Sequence, residues 1–390
     1  MDDASVWRFL VAALVIRAGW TLYAMGVSRA KHAGSALGRQ VMDLCVGLIA
    51  FWAVGASIAA YVSSSNSIFG VDPHRLGLWS GQLLPIDALA MGQVIIVGGL
   101  VVAAGAERSR GGPLVWVSIL LGAVLAPLTL FWSTHGWLSD LGWHGTDLTL
   151  HIVSAVGAML LAWKVGPREG KYHRDGSTSA IPGHNLPLVG AGVFMMLIGW
   201  AVFGGGDARM VVSRVLAAAA GGLAVGVFCT IRYAKHDVPL VLVGMLGGLI
   251  AASSGQVGRP FFGVIVGATA GVIVVVVLLT IDIRFKLDDP VSVIAIHGIG
   301  GLWGALCGSV LVSGTLAVRS QQLGLTVLGA AACALVTAAF IWPVLKLLGP
   351  ARLRSREAHE FDGLDLVEHD LNAYPDFQQT MIKSYHMREA

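Results

Sequence analysis

Charge is what this chain has least of. Only 13% of its 390 residues are Asp, Glu, Lys or Arg, against 55% hydrophobic residues and a mean hydropathy of +0.74. A soluble domain carries roughly twice that charged fraction, so a soluble fold is excluded. The four cysteines (Cys45, Cys229, Cys307, Cys333) sit apart in apolar runs, with no CxxC and no Cys/His cluster. That argues against a disulfide framework or a zinc site. No HExxH, nucleophile motif or carboxylate pair accompanies the histidines within the apolar runs, so an enzyme is not expected, and neither is a cofactor. Met1-Asp2-Asp3 lacks the basic start of a signal peptide, so the first apolar stretch reads as a retained span. Nucleic-acid binding is not indicated either. Arg352, Arg354 and Arg356 follow directly on an apolar run, where they suit topology or anionic lipid.

What the chain does have is runs of about twenty apolar residues, the length that crosses a bilayer. Eleven can be placed, at about 5–26, 41–62, 86–106, 113–133, 147–165, 184–204, 210–232, 238–254, 260–282, 291–313 and 323–348. The connectors alternate in charge. Those after odd-numbered spans hold Arg29, Lys31 and Arg39, then Arg108 and Arg110, then four basic residues between Lys164 and Arg174, then Arg232 and Lys235, then Arg284 and Lys286. The others hold little beyond Arg75, Arg209, Arg259 and Arg319. The positive-inside rule therefore puts the N-terminus outside and the C-terminus inside. The expected fold is an all-α multi-pass membrane protein with a membrane domain over 1–348 and a cytoplasmic tail over 349–390. Five spans followed by five more, then a last one, is the layout of an inverted repeat, because an odd half must re-enter from the opposite side. The 51 glycines, many inside spans, allow close helix packing.

Two of the spans carry a histidine. His151 lies in Leu148-Thr149-Leu150-His151-Ile152-Val153, and His297 in Ala295-Ile296-His297-Gly298-Ile299-Gly300-Gly301. An ionisable group at membrane depth is costly and usually faces a bundle interior or a permeation route. The two fall early in the fifth and tenth spans, which run in opposite directions, so they approach the midplane from opposite faces. One shared site is the expectation.

Several ordered motifs carry a family resemblance. The strongest are Asp288-Asp289-Pro290 followed by Ile296-His297-Gly298-Ile299-Gly300-Gly301-Leu302-Trp303-Gly304, and His184-Asn185-Leu186-Pro187 with Ile198-Gly199-Trp200 further on. Arg29-Ala30-Lys31, Ala106-Glu107-Arg108, Gly363-Leu364-Asp365-Leu366 and Asn372-Ala373-Tyr374 add weaker matches. On these the chain resembles the ammonium transporter, methylammonium permease and Rhesus protein family. The resemblance implies a homotrimer with one pore per subunit, ammonium or ammonia as substrate, and His151 and His297 as twin pore histidines. It implies an outer gate and vestibule drawn from Phe203, Gln93, Trp132, Asp207 and Asp140. It also implies a tail that couples the pores through Gly363 and Asp365. A bacterial inner membrane is the expected location, and a PII-type signal protein is a possible partner.

The chain also departs from that family. Its outer gate is a pair of phenylalanines, but the register of the second holds Gln93. A serine at the end of the sixth span is replaced by Asp207, which also suits an N-cap for the seventh. The acid expected eight positions before the first pore histidine is replaced by Trp143, so Asp140 or Asp147 takes that role, or neither does. Gln93 could equally serve helix packing, and Trp132 an interfacial anchor. In the tail, the family's His-Gly-Glu reads His369-Asp370-Leu371, and loss of that glycine puts a left-handed turn in question. These departures keep a second expectation open, an ammonium sensor that conducts weakly or not at all. No output domain follows the last span, so such a sensor would need a separate cytoplasmic partner.

Overall fold

The computed structural model describes residues 3–61, 67–79, 81, 83–203 and 205–374; the last sixteen residues of the expected tail lie outside the described residues. Among the described residues the chain runs back and forth in eleven apolar helical segments. They are α1 (Asp3–Val27), α2 (Ala30–Ala59), α3 (Pro85–Ala103), α4 (Gly111–Asp140), α5 (Thr146–Val165), α6 (Leu186–Phe203), α7 (Ala208–Tyr233), α8 (Val238–Ser254), α9 (Pro260–Ile283), α10 (Ile294–Leu311) and α11 (Leu316–Leu353). Among the described residues, ten are long and apolar enough to cross a membrane, and α8, at 17 residues, stands at the lower limit. Each coincides with one of the eleven spans expected from hydropathy.

Local chemistry sets where the helices begin. Pro85 and Pro260 open α3 and α9, where a missing N–H costs nothing. The carboxylates of Asp207 and Asp237 accept the first amides of α7 and α8. Trp132 belongs to the helical stretch Ala126–Thr134 near the end of α4, within the fourth expected span.

The neighbours of each helix repeat. In the first half α3 packs on α1, α2 and α5, and α4 packs on α2 and α5. In the second half α8 packs on α6, α7 and α10, and α9 packs on α7 and α10. The halves meet where α1 crosses α6 and α5 crosses α10, while α11 lies along α5. This is the arrangement expected of a five-plus-five repeat. Facing outward are large apolar side chains such as Leu223, Ile231, Leu335 and Leu347. In water such a surface would drive association; in a bilayer it is the solvent contact.

Arg17 is accounted for inside the bundle. Its guanidinium pairs with Asp43 of α2 at 2.8 Å and donates to Ile95 O of α3 at 3.0 Å and to Gln40 O. The tail contributes two short helices, α12 (Glu357–Asp362) and α13 (Leu364–His369), which fold back onto the start of α2 of the same chain.

Candidate functional site at the repeat crossing

His151 sits in the second turn of α5. His297 sits inside a π-helical stretch, Ile294–Gly300, at the start of α10. Such widened turns are rare and re-aim a side chain, often at a functional position. The two rings meet, with Nδ1 to Nδ1 3.0 Å, centroids 5.1 Å apart and planes at 38°. Both are buried, at 0% and 1% exposure. A contact of that length between two ring nitrogens needs one N–H and one lone pair. The neutral rings must therefore hold opposite tautomers, and their two Nε2 atoms differ, one a donor and one an acceptor. His151 Nε2 is buried with no protein partner.

Glycine makes this approach possible. A Cβ on Gly301 would lie 2.9 Å from His151 Cβ, and one on Gly298 would lie 2.9 Å from Ala155 Cβ. Two tryptophans enclose the rings. Trp200 of α6 is 5.0 Å from His151 and 6.0 Å from His297, centroid to centroid. Trp20 of α1 meets His297 edge-on at 5.8 Å, its indole N–H fixed on Gly99 O at 3.1 Å. So α1 and α6 each supply a tryptophan, as α5 and α10 each supply a histidine. Trp20 was not singled out from sequence, yet Gly19-Trp20 and Gly199-Trp200 are matching dipeptides in matching spans.

The remaining expected residues scatter around this centre. Phe203 is fully buried beside Trp200, 5.4 Å away, with Phe9 edge-on at 6.1 Å. On the α3 side it faces Gly92, whose added Cβ would stand 3.1 Å from the Phe203 ring. Gln93 points its amide to α5, donating to Thr146 O at 3.1 Å, while its Oε1 is buried without a partner. Trp132 is buried, with its indole N–H on Ile68 O at 2.6 Å and its ring edge-on to Trp137. Asp207 is exposed; it caps α7 through the amides of Arg209 and Met210, each at 3.1 Å, and lines a cavity of ≈ 510 Å³ with Phe9 and Val202. Asp207 is thus the N-cap of α7.

The two candidate acids separate. Asp140 is exposed on the short helix Trp137–Asp140. Asp147 is buried in the first turn of α5, one turn before His151 and so on the same face. It accepts from Ser253 of α8 at 3.4 Å and is opposed by the buried Arg214 of α7. Arg214 donates to Ala201 O at 3.0 Å and Gly205 O at 2.8 Å, tying α7 to the end of α6. Trp143, in the register of the missing acid, packs its ring on Gly145 and Gly329.

At the other end of the bundle, Asp288 receives Arg168 through its backbone N–H, Nε and Nη2, each at 2.9 Å; Arg168 Nη1 reaches Glu107 at 2.8 Å. Arg108 donates to Asp288 O at 2.6 Å. Burial alone would push the Asp288 carboxyl up, but Arg108 and Arg168 hold it well below the usual carboxylate range. Asp289 accepts the Ile294 amide at 2.8 Å, which starts α10, and its other oxygen has no partner. Burial pushes its carboxyl up to about 6. The motif Asp288-Asp289-Pro290 is thus the anchor of the histidine-bearing helix.

In the tail, Asp365 caps α2, accepting the amides of Gly34 at 2.9 Å and Ser35 at 2.6 Å. Gly363 has φ +106, and an added Cβ would fall 2.8 Å from Lys31. The turn put in question by loss of a glycine is kept. Asp370 itself adopts the left-handed conformation, with φ +48 and ψ +42, which Asp tolerates better than most residues.

Residues 6–374 match the model of the Ammonium Transporter Family. The chain is 28% identical to "Ammonium transporter Amt2" of Archaeoglobus fulgidus, over 95% of this chain and 88% of that one. It is likewise 28% identical to "Ammonium transporter Amt1" of Methanocaldococcus jannaschii, over 96% and 98%. Among solved structures, a "Sensor Amt Protein" superposes with a TM-score of 0.84 at 25% identity, covering 94% of this chain and 98% of that one. Mep2 of Saccharomyces cerevisiae shares the fold, with a TM-score of 0.78 at 21% identity over 91% and 88%.

Proposed function

The chain belongs to the ammonium transporter family, a family of membrane transport proteins and not of enzymes, and from that premise we propose that it passes ammonia along its paired histidines. The observation that carries this reading is the 3.0 Å contact of two buried imidazoles between the repeats. Ammonium is recruited at an outer mouth, and the family resemblance assigns Asp207, Phe203, Trp132, Gln93 and Asp140 to its gate and vestibule. Carboxylate and aromatic faces there favour a cation. Entering the apolar bundle as an ion is costly, so ammonium gives a proton to the acceptor nitrogen of the histidine pair and moves on as neutral ammonia, while the pair relays that proton inward and net charge crosses. The unpartnered His151 Nε2 offers the passing molecule a polar contact inside an otherwise apolar passage. A potassium ion has no proton to lose and is refused.

In the same reading the N-terminus is outside, residues 349–390 form the cytoplasmic tail, and the protein is a homotrimer in a bacterial inner membrane. Gly363 and Asp365 couple the tail to the pore, and a PII-type protein docks on that side. A second reading, an ammonium sensor with a separate cytoplasmic partner, is favoured by Gln93 in place of a second gate ring and by the likeness to the "Sensor Amt Protein". Proteoliposomes given ammonium and potassium pulses on a solid-supported membrane separate the two. A transporter gives an ammonium current and no potassium current. A sensor gives no current, while ammonium still changes the fluorescence of the tryptophans beside the histidines.

A further inference from the structure

A proton relayed inward by the histidine pair needs a next acceptor, and one buried acid is placed for that task. Asp289 lies eight positions before His297, the register that Trp143 fills before His151. Only 8% of it is exposed, and its two oxygens are used differently. Oδ2 accepts the Ile294 amide at 2.8 Å and so starts the π-helical stretch that carries His297. Oδ1 is buried and has no partner among the described residues, which makes an ionised carboxylate costly there. Burial pushes the carboxyl up to about 6, so it takes up and releases a proton near neutrality. Asp288 beside it is the contrast: Arg168 grips both its oxygens at 2.9 Å and keeps it an anion. The other groups facing Asp289 are Arg108, already donating to Asp288 O at 2.6 Å, and Tyr23 of α1.

Tyr23 links this acid to the pore pair. Its ring stacks on Trp20 with centroids 5.2 Å apart, and Trp20 meets His297 edge-on at 5.8 Å. Its hydroxyl has Ser292 and Asp289 as polar neighbours, and Tyr23 and Ser292 are both buried. A hydroxyl donates and accepts at once, so it passes a proton on without holding charge. A cavity of ≈ 180 Å³ reaches Asp289 among Arg168, Lys171, Asp282 and Pro290, at the basic end of the bundle. The idle Oδ1 is sealed from that cavity, so a proton on it is shut away from water until the carboxyl rotates.

We propose that Asp289 is the first proton acceptor inward of the histidine pair, reached from His297 through the hydroxyls of Tyr23 and Ser292 and emptied into the cavity beside Arg168. The proposal rests on the transport reading above. In the step an imidazolium N–H bond breaks and a carboxyl O–H bond forms. Each hydroxyl gives one proton as it gains another, His297 returns to neutral, and Asp289 then gives its proton to water.

The test compares reconstituted full-length parent, Asp289→Asn, Asp289→Glu and Tyr23→Phe by ammonium current on a solid-supported membrane. Asp289→Asn keeps an oxygen for the Ile294 amide, so folding should hold while the current falls at least tenfold. Asp289→Glu keeps a titratable carboxyl and should recover much of the current, which a purely structural role does not predict. Tyr23→Phe keeps the ring on Trp20 and should cut the current several-fold. Infrared spectra of the parent between pH 8 and 5 should show a protonated-carboxyl band that Asp289→Asn lacks. Parental current in Asp289→Asn or in Tyr23→Phe overturns the proposal, as does a band unchanged in Asp289→Asn or a folded Asp289→Glu as inactive as Asp289→Asn. No ammonium current in the parent refutes the transport reading and this proposal with it, whereas parental current in Asp289→Asn refutes the proposal alone.

Discussion

A Cβ built on Gly301 falls 2.9 Å from His151 Cβ and within 3.2 Å of the imidazole carbons Cγ and Cδ2. The atom it meets is anchored to backbone, so the histidine or the helix must move. Gly301→Ala is therefore expected to destabilise the protein by about 1–3 kcal/mol, the usual cost of overpacking. It should also abolish or strongly reduce ammonium current. Thermal unfolding in detergent and current measurements on the same preparation check both. An unchanged Tm with parental current would mean that α5 and α10 do not need this close approach.

Asp207 allows charge to be separated from capping. Asp207→Asn keeps an oxygen for the amides of Arg209 and Met210, so stability should hold. Loss of one exposed charge at the mouth should raise the half-saturating ammonium concentration by about two- to fivefold, most visibly at low salt. Gln93→Phe should alter ion discrimination in the same assay, since it replaces a polar amide by a ring. Parental affinity and selectivity in both variants would place these residues outside the mouth.

Asp365 holds two amides at the start of α2 with a charged acceptor. Removing it in Asp365→Ala should cost about 1.5–3 kcal/mol of tail docking and expose the tail to protease. Deleting residues 355–390 should lower transport without disturbing insertion, because upstream loops carry the topology signal. Full transport by the truncated protein would show that the tail has no coupling role.

Asp289 predicts a pH dependence of stability. Its carboxyl is raised to about 6 in the folded protein from an ordinary value of 3.8. The folded state therefore holds this proton more tightly than the unfolded chain. Its contribution, about 3 kcal/mol for a shift of that size, is fully present below about pH 4 and is lost as pH rises through about 6. Asp288 acts in the opposite sense, stabilising at higher pH and failing as its depressed value is approached. The difference between Asp289→Asn and the parent isolates Asp289. The variant should be the more stable one above pH 6 and should lose the slope between pH 4 and 6. Parallel Tm curves for the two proteins would refute the buried, proton-holding Asp289.

The membrane architecture was readable because bilayer thickness dictates the length of an apolar run, and a glycine-rich run does not disguise it. His151 and His297 stood out for the same reason, as ionisable groups where none is cheap. Other features leave no trace in hydropathy. The π turn around His297 depends on backbone geometry, and its sequence reads as ordinary apolar helix. Trp20 joins the site only because α1 crosses α6, a long-range contact that one span cannot announce. Asp147 and Arg214 oppose each other across α5 and α7, so neither residue reveals the other in sequence. Asp370 shows the converse error, since a missing glycine suggested a broken turn that an aspartate in fact supports.

The central claim is that ammonium nitrogen passes the two paired imidazoles. Solid-supported membrane electrophysiology on reconstituted parent, His151→Ala and His297→Ala tests it most directly, with ammonium and potassium pulses and a check that each variant elutes as the parent does. The account predicts an ammonium current and no potassium current for the parent. Each single variant should either lose the ammonium current or begin to admit potassium. Parental currents and parental selectivity in both variants would contradict it.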